Sequence, residues 1–321
     1  MTRELTGVIL AAGRGTRINP LNLLMPKPLL PVCNKPVVQY HLEEMKRIGV
    51  TRVIVVVGHL KDDIMTFLGD GSRLGLQVSY VEQKQALGIA HAVSQLEPVI
   101  DSPFILFLGD IFMVPRDLQS MAAMFWARQA GAVLAVKRET DPEYIRRNFA
   151  VLMHPSGAVT RVIEKPRYLS NDLKGCGLYI FDLAIFDAIR RTPRTALRDE
   201  YEITNSIQIL IDDGYPVYPA EVVEWDMNLT LACDLLECNC QELNRRGLEN
   251  LIGENVMLPA GTVVENSVIG DGVVLRHPVA VRNSLILPRT LVEKQQDIDG
   301  LLLGPDTELR CDVLAAGSRT R

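Results

Sequence analysis

The stretch that most restricts what this chain can fold into is Leu10-Ala11-Ala12-Gly13-Arg14-Gly15-Thr16-Arg17, followed by Pro26-Lys27-Pro28. Gly7 to Ala12 is a short apolar run and reads as a buried strand. Gly13 and Gly15 then allow a sharp turn in which backbone N–H groups converge on an anion without Cβ atoms in the way. Two cations follow. Arg17 offers a planar fork suited to phosphate oxygens, and Lys27, stiffened by a proline on either side, offers a compact point charge. Leu10, Ala11, Ala12, Gly13, Gly15 and Thr16 are therefore expected to form a phosphate cradle. A dinucleotide fingerprint would need a third glycine where Ile18 stands, and a mononucleotide P-loop would need Gly-Lys-Ser/Thr, which this stretch lacks.

Beyond the cradle the pattern alternates. Pro36 to Ile48 has helical spacing ending at Gly49, Arg52 to Val57 is a β-branched run, and Lys61 to Leu68 reads as a helix. Leu76 to Val81 and Pro103 to Leu108 read as strands, Leu118 to Ala130 as a helix and Ala132 to Val136 as a strand. This alternation predicts an α/β fold: a Rossmann-like, mostly parallel sheet flanked by helices. In such sheets ligands lie beyond the carboxyl ends of the strands, where the glycine loop, Gln83 and Asp110 all fall. Phe149 to Glu164 reads as a hairpin turning at Pro155-Ser156-Gly157, with a strand at Gly177 to Phe181.

From Ile252 the period changes. Ile252, Leu258, Val264, Ile269, Leu275, Val281 and Leu287 recur about every six residues, with one five-residue step between Val264 and Ile269. A second apolar row runs alongside. This predicts a short C-terminal left-handed parallel β-helix of hexapeptide repeats. The expected domains are residues 1–247 and 248–321.

Composition narrows the function. A net charge of −5 argues against an electrostatic nucleic-acid binder, so the basic residues of the loop mark a local anion site. An apolar content of 47% over 321 residues is ample for a sizeable core. No apolar run approaches a membrane span, and the six cysteines are scattered without a paired framework, which suits a reducing cytoplasm. Cys233, Cys238 and Cys240 cluster without the second pair that a zinc site needs.

Gly-x-Gly-Thr-Arg, Pro-Lys-Pro-Leu-Leu-Pro-Val and Asn34-Lys35-Pro36 together resemble the signature of the sugar-1-phosphate nucleotidyltransferases. Gly69-Asp70-Gly71-Ser72-Arg73, Tyr80-Val81-Glu82-Gln83, Leu87-Gly88-Ile89-Ala90-His91, Leu108-Gly109-Asp110, Ile163-Glu164-Lys165-Pro166 and Glu200-Tyr201-Glu202-Ile203-Thr204 extend the resemblance in the family's order over nearly the first 240 residues. Within the family the chain is most similar to the long-form glucose-1-phosphate thymidylyltransferases. The resemblance implies a Mg²⁺-dependent reaction joining a nucleoside triphosphate, dTTP or UTP favoured, to a hexose 1-phosphate, glucose 1-phosphate favoured, with release of pyrophosphate. The sugar-phosphate oxygen is already ionised, so the protein must align two anions and neutralise charge rather than supply a general base. A homo-oligomer is expected, with neither nucleic acid nor membrane as a partner.

The resemblance also assigns residues. Arg17 would hold the departing pyrophosphate, Lys27 the region of the α-phosphate, Asp110 the Mg²⁺, and Lys165 the phosphate of the sugar substrate. Glu164 would bind sugar hydroxyls, with Ala150 and Gly175 beside them. Gln83 is the candidate base reader, because its amide can both donate to and accept from the edge of thymine or uracil, and Gly88 would let the backbone approach the base. Three departures stand out. Asn228 occupies the position of a family metal-binding Asp, which leaves Asp226 or Asn228 as the second ligand. Ala150 replaces a sugar-contacting glycine, and Lys174 occupies a position that is normally small and apolar. A catalytically weak nucleotide- or sugar-phosphate-binding regulatory subunit is the alternative reading.

Overall fold

A computed structural model describes residues 4–169, 171–196 and 199–311. The chain divides into two compact units, residues 1–14 with 41–226 and residues 15–40 with 227–321. Residues 15–40 and 227–247, which the sequence assigns to the first domain, fall in the second unit.

The first unit is built on a nine-stranded sheet of β1 (Thr6–Ala11), β2 (Arg52–Val57), β3 (Gln77–Glu82), β4 (Phe104–Leu108), β5 (Ala132–Arg138), β6 (Phe149–Met153), β7 (Val159–Glu164), β8 (Leu173–Phe181) and β9 (Val217–Ala220). Its order is β7-β6-β8-β4-β1-β2-β3, with β5 joining β8 to β9. β1, β2, β3 and β4 are mutually parallel. Val53 to Val57 are buried on both faces, which is why β2 reads as an unbroken apolar run instead of an alternation. Val8, Ile54, Val56, Phe104, Leu106, Leu134 and Phe181 belong to one core.

The sheet is mixed rather than mostly parallel. β8 runs antiparallel to β4, β5 and β6, and β6 and β7 form the expected antiparallel hairpin. The alternation of strands and helices breaks down after β5, because β6, β7 and β8 follow with only the short helix Pro142–Arg147 among them. Without long crossovers, neighbouring strands pair antiparallel. All nine residues of β8 are buried, Lys174 among them.

In the second unit, residues 250–310 form short ladders. The parallel ones run from Asn250–Ile252 through Ser267–Ile269 and Leu285–Ile286 to Leu301–Gly304, from Val263–Glu265 through Ala280–Arg282 to Ile298–Asp299, and from Val274–Leu275 to Leu291–Val292. Val268 pairs with Leu285 and Leu285 with Leu302, so each step of register is 17 residues. Ile269 pairs with Ile286, so a second five-residue step falls between Val281 and Ile286 where the sequence pattern pointed to Leu287. The turns share this period: Asn255, Gly272 and Arg289 have positive φ, as do Asn266, Asn283 and Gly300. Asn tolerates the left-handed region, and its amide adds a second service. Asn266 Nδ2 donates to Asn283 Oδ1 at 2.8 Å, and Asn283 Nδ2 to Asp299 Oδ1 at 3.0 Å. Ile269, Val281, Ile286 and Ile298 point into the apolar interior. The hairpin of Leu301–Gly304 with Thr307–Arg310 closes the last ladder.

The cysteines correct one expectation. Cys233, in the first turn of the helix Ala232–Arg245, forms a disulfide with Cys311, 78 residues on. Spacing gave no hint of it, since only the fold brings the two together. The remaining four cysteines are free and buried.

Candidate active site

Because β1 to β4 are parallel, their carboxyl ends share one edge of the sheet, and Ala12, Gly58, Gln83 and Asp110 all stand there. Gly58 is close-packed, for a Cβ on it would lie 2.8 Å from the Ala12 carbonyl oxygen. Gly13 is the reverse: nothing within 4 Å would meet its Cβ, so the exposed turn is open to a ligand.

Gln83 is held at the end of β3 by its own N–H, which donates to the Val57 carbonyl at 2.8 Å. Its side chain is buried, and Nε2 lies 2.9 Å from His91 Nδ1 and 3.4 Å from the Gly88 carbonyl oxygen. Burial holds the His91 imidazole below its ordinary range, so at neutral pH Nδ1 is an acceptor for that amide hydrogen. Among the described residues, none donates to Gln83 Oε1. Gly88 has φ 105°, and a Cβ there would lie 2.6 Å from the Tyr201 carbonyl oxygen. The glycine is therefore required by its own chain. Tyr201 N–H donates to Leu87 O and Ala90 N–H to Tyr201 O, which laces the Gly88 turn to the 199–201 segment. The rings of His91 and Tyr201 stack with centroids 6.3 Å apart.

Asp110 is half-buried in the turn after β4. Gly109 N–H donates to the Leu10 carbonyl at 2.9 Å, which ties this turn to the end of β1.

Gly15, Thr16, Arg17 and Lys27 belong to the second unit. Gly15 has φ 61° and ψ 34°, and a Cβ there would sit 3.1 Å from Lys27 Cγ and Cε. The aliphatic stem of Lys27 thus passes directly beside Gly15. Lys27 is buried between buried Pro26 and Pro28, whereas Thr16 and Arg17 are exposed on the turn Thr16–Ile18, anchored by buried Ile18.

The expected sugar end lies across the other half of the first unit. Glu164 ends β7 and accepts from Thr204 Oγ1 at 3.3 Å. Lys165 follows with φ 42°, in the left-handed region that costs a residue with a Cβ, and its N–H donates to Asn148 O at 2.8 Å. Gly175 has no room for a side chain, because a Cβ would run into the ring of Phe149. Ala150, Lys174 and Lys137 are register partners across β6, β8 and β5, so their side chains share one face of the sheet.

Two lysines side by side repel, and Asp226 answers both. Lys174 Nζ donates to Asp226 Oδ1 at 2.8 Å and Oδ2 at 2.7 Å, and Lys137 Nζ lies 3.4 Å from Oδ1. Glu139 completes the group, 3.0 Å from Lys137 and 4.0 Å from Lys174. Lys174 is 1% exposed and Asp226 5%. Burial works against the Lys137 charge, but Asp226 and Glu139 outweigh it and raise the ammonium above its ordinary range. Burial also pushes the neighbouring Cys176 thiol well up. Both Asp226 oxygens are thus committed to ammonium groups.

Comparison with known proteins places this architecture. The family model described as nucleotidyl transferase matches residues 6–226. A glucose-1-phosphate thymidylyltransferase of Streptomyces griseus is 34% identical over 97% of this chain and 84% of its own length. The low-salt glycan biosynthesis nucleotidyltransferase Agl11 of Haloferax volcanii is 34% identical over 76% of this chain and 67% of its own. The chain belongs to the sugar-1-phosphate nucleotidyltransferases. A UDP-glucose pyrophosphorylase solved with UDP-glucose shares the fold, with a TM-score of 0.66 at 23% identity over 76% of this chain and 100% of that one.

In this nucleotidyltransferase several residues join the site that motif reading passed over. His91 and Tyr201 lie inside quoted motifs but carried no role. Lys137 and Glu139 gave no signal, since only the β5–β8 register brings them to Lys174. His41 could have been found: a histidine among Val37, Val38, Leu42 and Met45 on an apolar helical stripe reads as buried. It is 1% exposed, and burial lowers its pKa to about 4.

Asn228, in the second unit, accepts from Thr230 Oγ1 at 3.2 Å through Oδ1. Among the described residues, no helix is long and apolar enough to cross a membrane, and no group of three or more His, Cys, Asp or Glu side chains could hold a metal ion.

Proposed function

We propose that this nucleotidyltransferase joins dTTP or UTP to glucose 1-phosphate, and that Gln83 selects the base. The observation that carries this reading is the Gln83 amide. With Nε2 spent on His91, Oε1 is left to accept, and thymine and uracil both present an N3–H donor. Cytosine presents a lone pair at that position, and purines are too large for the same contact. The name of the Streptomyces griseus relative agrees with a thymidylyl donor.

The residue roles follow from the chemistry. Arg17 binds the departing pyrophosphate and Lys27 the α-phosphate, where fixed cations matter most as the bond to pyrophosphate breaks. Lys165 orients the sugar phosphate for in-line attack, and Glu164, itself positioned by Thr204, accepts from sugar hydroxyls. Leu10 to Thr16 supply backbone N–H groups to the phosphates, and Ala150 and Gly175 line the sugar.

Mg²⁺ usually takes one or two carboxylates and completes its shell with substrate phosphates and water. Asp110 fits that need as a hard oxygen donor in a turn at the carboxyl edge, and Asp226 does not, because Lys174 takes both of its oxygens. When bound there, the ion would neutralise the triphosphate. Asn228 is the candidate for a weaker second donor.

The C-terminal ladders, with their 17-residue register, read as a left-handed parallel β-helix of hexapeptide repeats, which we assign to assembly of the homo-oligomer. The base assignment is tested by binding and turnover with glucose 1-phosphate and each of dTTP, UTP, CTP, ATP and GTP. dTTP and UTP should be used and the other three disfavoured; equal use of all five would overturn it.

A further inference from the structure

We propose that His41 is a positioning residue, holding the Leu108–Ile111 turn, and with it Asp110, by donating its Nε2–H to the Ile111 carbonyl. The inference rests on the assignment of Asp110 as a metal ligand. β4 ends at Leu108, and the next strand, Ile111–Pro115, begins immediately after Asp110. The turn is gripped on both sides of Asp110. Gly109 N–H donates to Leu10 O at 2.9 Å, and His41 Nε2 lies 2.9 Å from Ile111 O. Asp110 therefore stands between two fixed backbone points, one set by the nucleotide strand and one by the helix Val37–Arg47.

The choice of histidine is not one of packing. Val37, Val38, Leu42 and Met45 on the same helix are fully buried, and an aliphatic residue would complete that stripe. Histidine instead buries Nδ1 with no partner among the described residues, which by itself destabilises the fold. What the ring gives in return is a hydrogen bond to the Ile111 carbonyl. Phe107, on the adjacent strand, fixes the ring plane, with centroids 4.9 Å apart at 33°. Helix, strand and turn are thereby keyed to one imidazole. An oxygen ligand displaced by a fraction of its bond length binds Mg²⁺ poorly, since the ion demands near-ideal octahedral geometry.

The test measures Mn²⁺ binding by electron paramagnetic resonance in the presence of dTTP for wild type, H41L, H41Q and D110N, with urea unfolding of each. H41L should raise the Mn²⁺ concentration for half-saturation about fivefold, the equivalent of one lost hydrogen bond, while dTTP binding without metal is unchanged. H41Q, which keeps an amide donor, should recover most of the affinity. If H41L does not fold, H41F, which keeps a ring and lacks the donor, carries the same expectation. Unchanged Mn²⁺ affinity in a folded H41L or H41F, or failure of H41Q to recover it, overturns the role of His41. If D110N leaves Mn²⁺ binding unchanged, the Asp110 assignment itself fails, and that result is separate from the His41 outcome.

Discussion

The carboxyl ends of β1 to β4 and the row Ala150–Lys174–Lys137 belong to one sheet, yet their side chains are held in different ways. At the strand ends, side chains such as Gln83 are held by hydrogen bonds to neighbouring loops and helices, and backbone groups do much of the presenting. In the row, two lysines occupy adjacent strands in mid-sheet and need Asp226 and Glu139 to be tolerated at all. The difference teaches where substitution is free. Changing Gln83 removes side-chain hydrogen bonds at a strand end, whereas changing Lys174 or Asp226 takes a buried charge from its main partner.

The largest effect should come from breaking the row. Asp226→Ala leaves Lys174 buried with only Glu139, 4.0 Å away, to answer its charge, and chemical denaturation should show a loss of about 3–5 kcal/mol. Replacing Lys174 and Asp226 together by Met and Leu should recover most of that loss, because an apolar pair of similar volume is often as stable as a buried ion pair. If Asp226→Ala is as stable as wild type, the row is not the structural cluster described.

A smaller effect is expected at the strand ends, and in a different observable. Gln83→Ala should leave the unfolding midpoint nearly unchanged and lower kcat/KM for dTTP or UTP by the equivalent of about 1–3 kcal/mol, flattening base preference. A large loss of stability with preference retained would make Gln83 a core residue and erase the contrast with Lys174. Thr204→Val should be milder still. It removes one hydrogen bond to Glu164 Oε2 at 3.3 Å, worth about 0.5–1.5 kcal/mol. The loss should be seen as a severalfold rise in KM for the sugar 1-phosphate; an effect on the nucleotide KM alone would move Glu164 out of the sugar subsite.

The same contrast explains what could be read from sequence. β1, β2 and β4 were legible because strands buried on both faces leave continuous apolar runs, and the motifs at their ends lie within a few residues of them. The ladder period was legible because interior residues recur by register, apart from the second five-residue step before Ile286. The antiparallel course of β8 was not, since pairing direction depends on connections and not on the composition of the strand. Lys174 was noticed as out of place, but its partners were invisible: Lys137 reaches it only through strand register, and Asp226 lies 52 residues away in the chain. The Cys233–Cys311 link was hidden for the same reason. In the Gly88 motif, the glycine was legible and its cause was not, because Tyr201 supplies the backbone that excludes a side chain.

The central claim is the proposed one, a nucleotidyltransferase in which Gln83 selects a pyrimidine base. It is tested most directly by pyrophosphate release, with Mg²⁺, from every pairing of dTTP, UTP, CTP, ATP and GTP with several hexose 1-phosphates. The account predicts turnover confined to dTTP and UTP, highest with glucose 1-phosphate; pyrophosphate from no pairing, or turnover indifferent to the base, would contradict it.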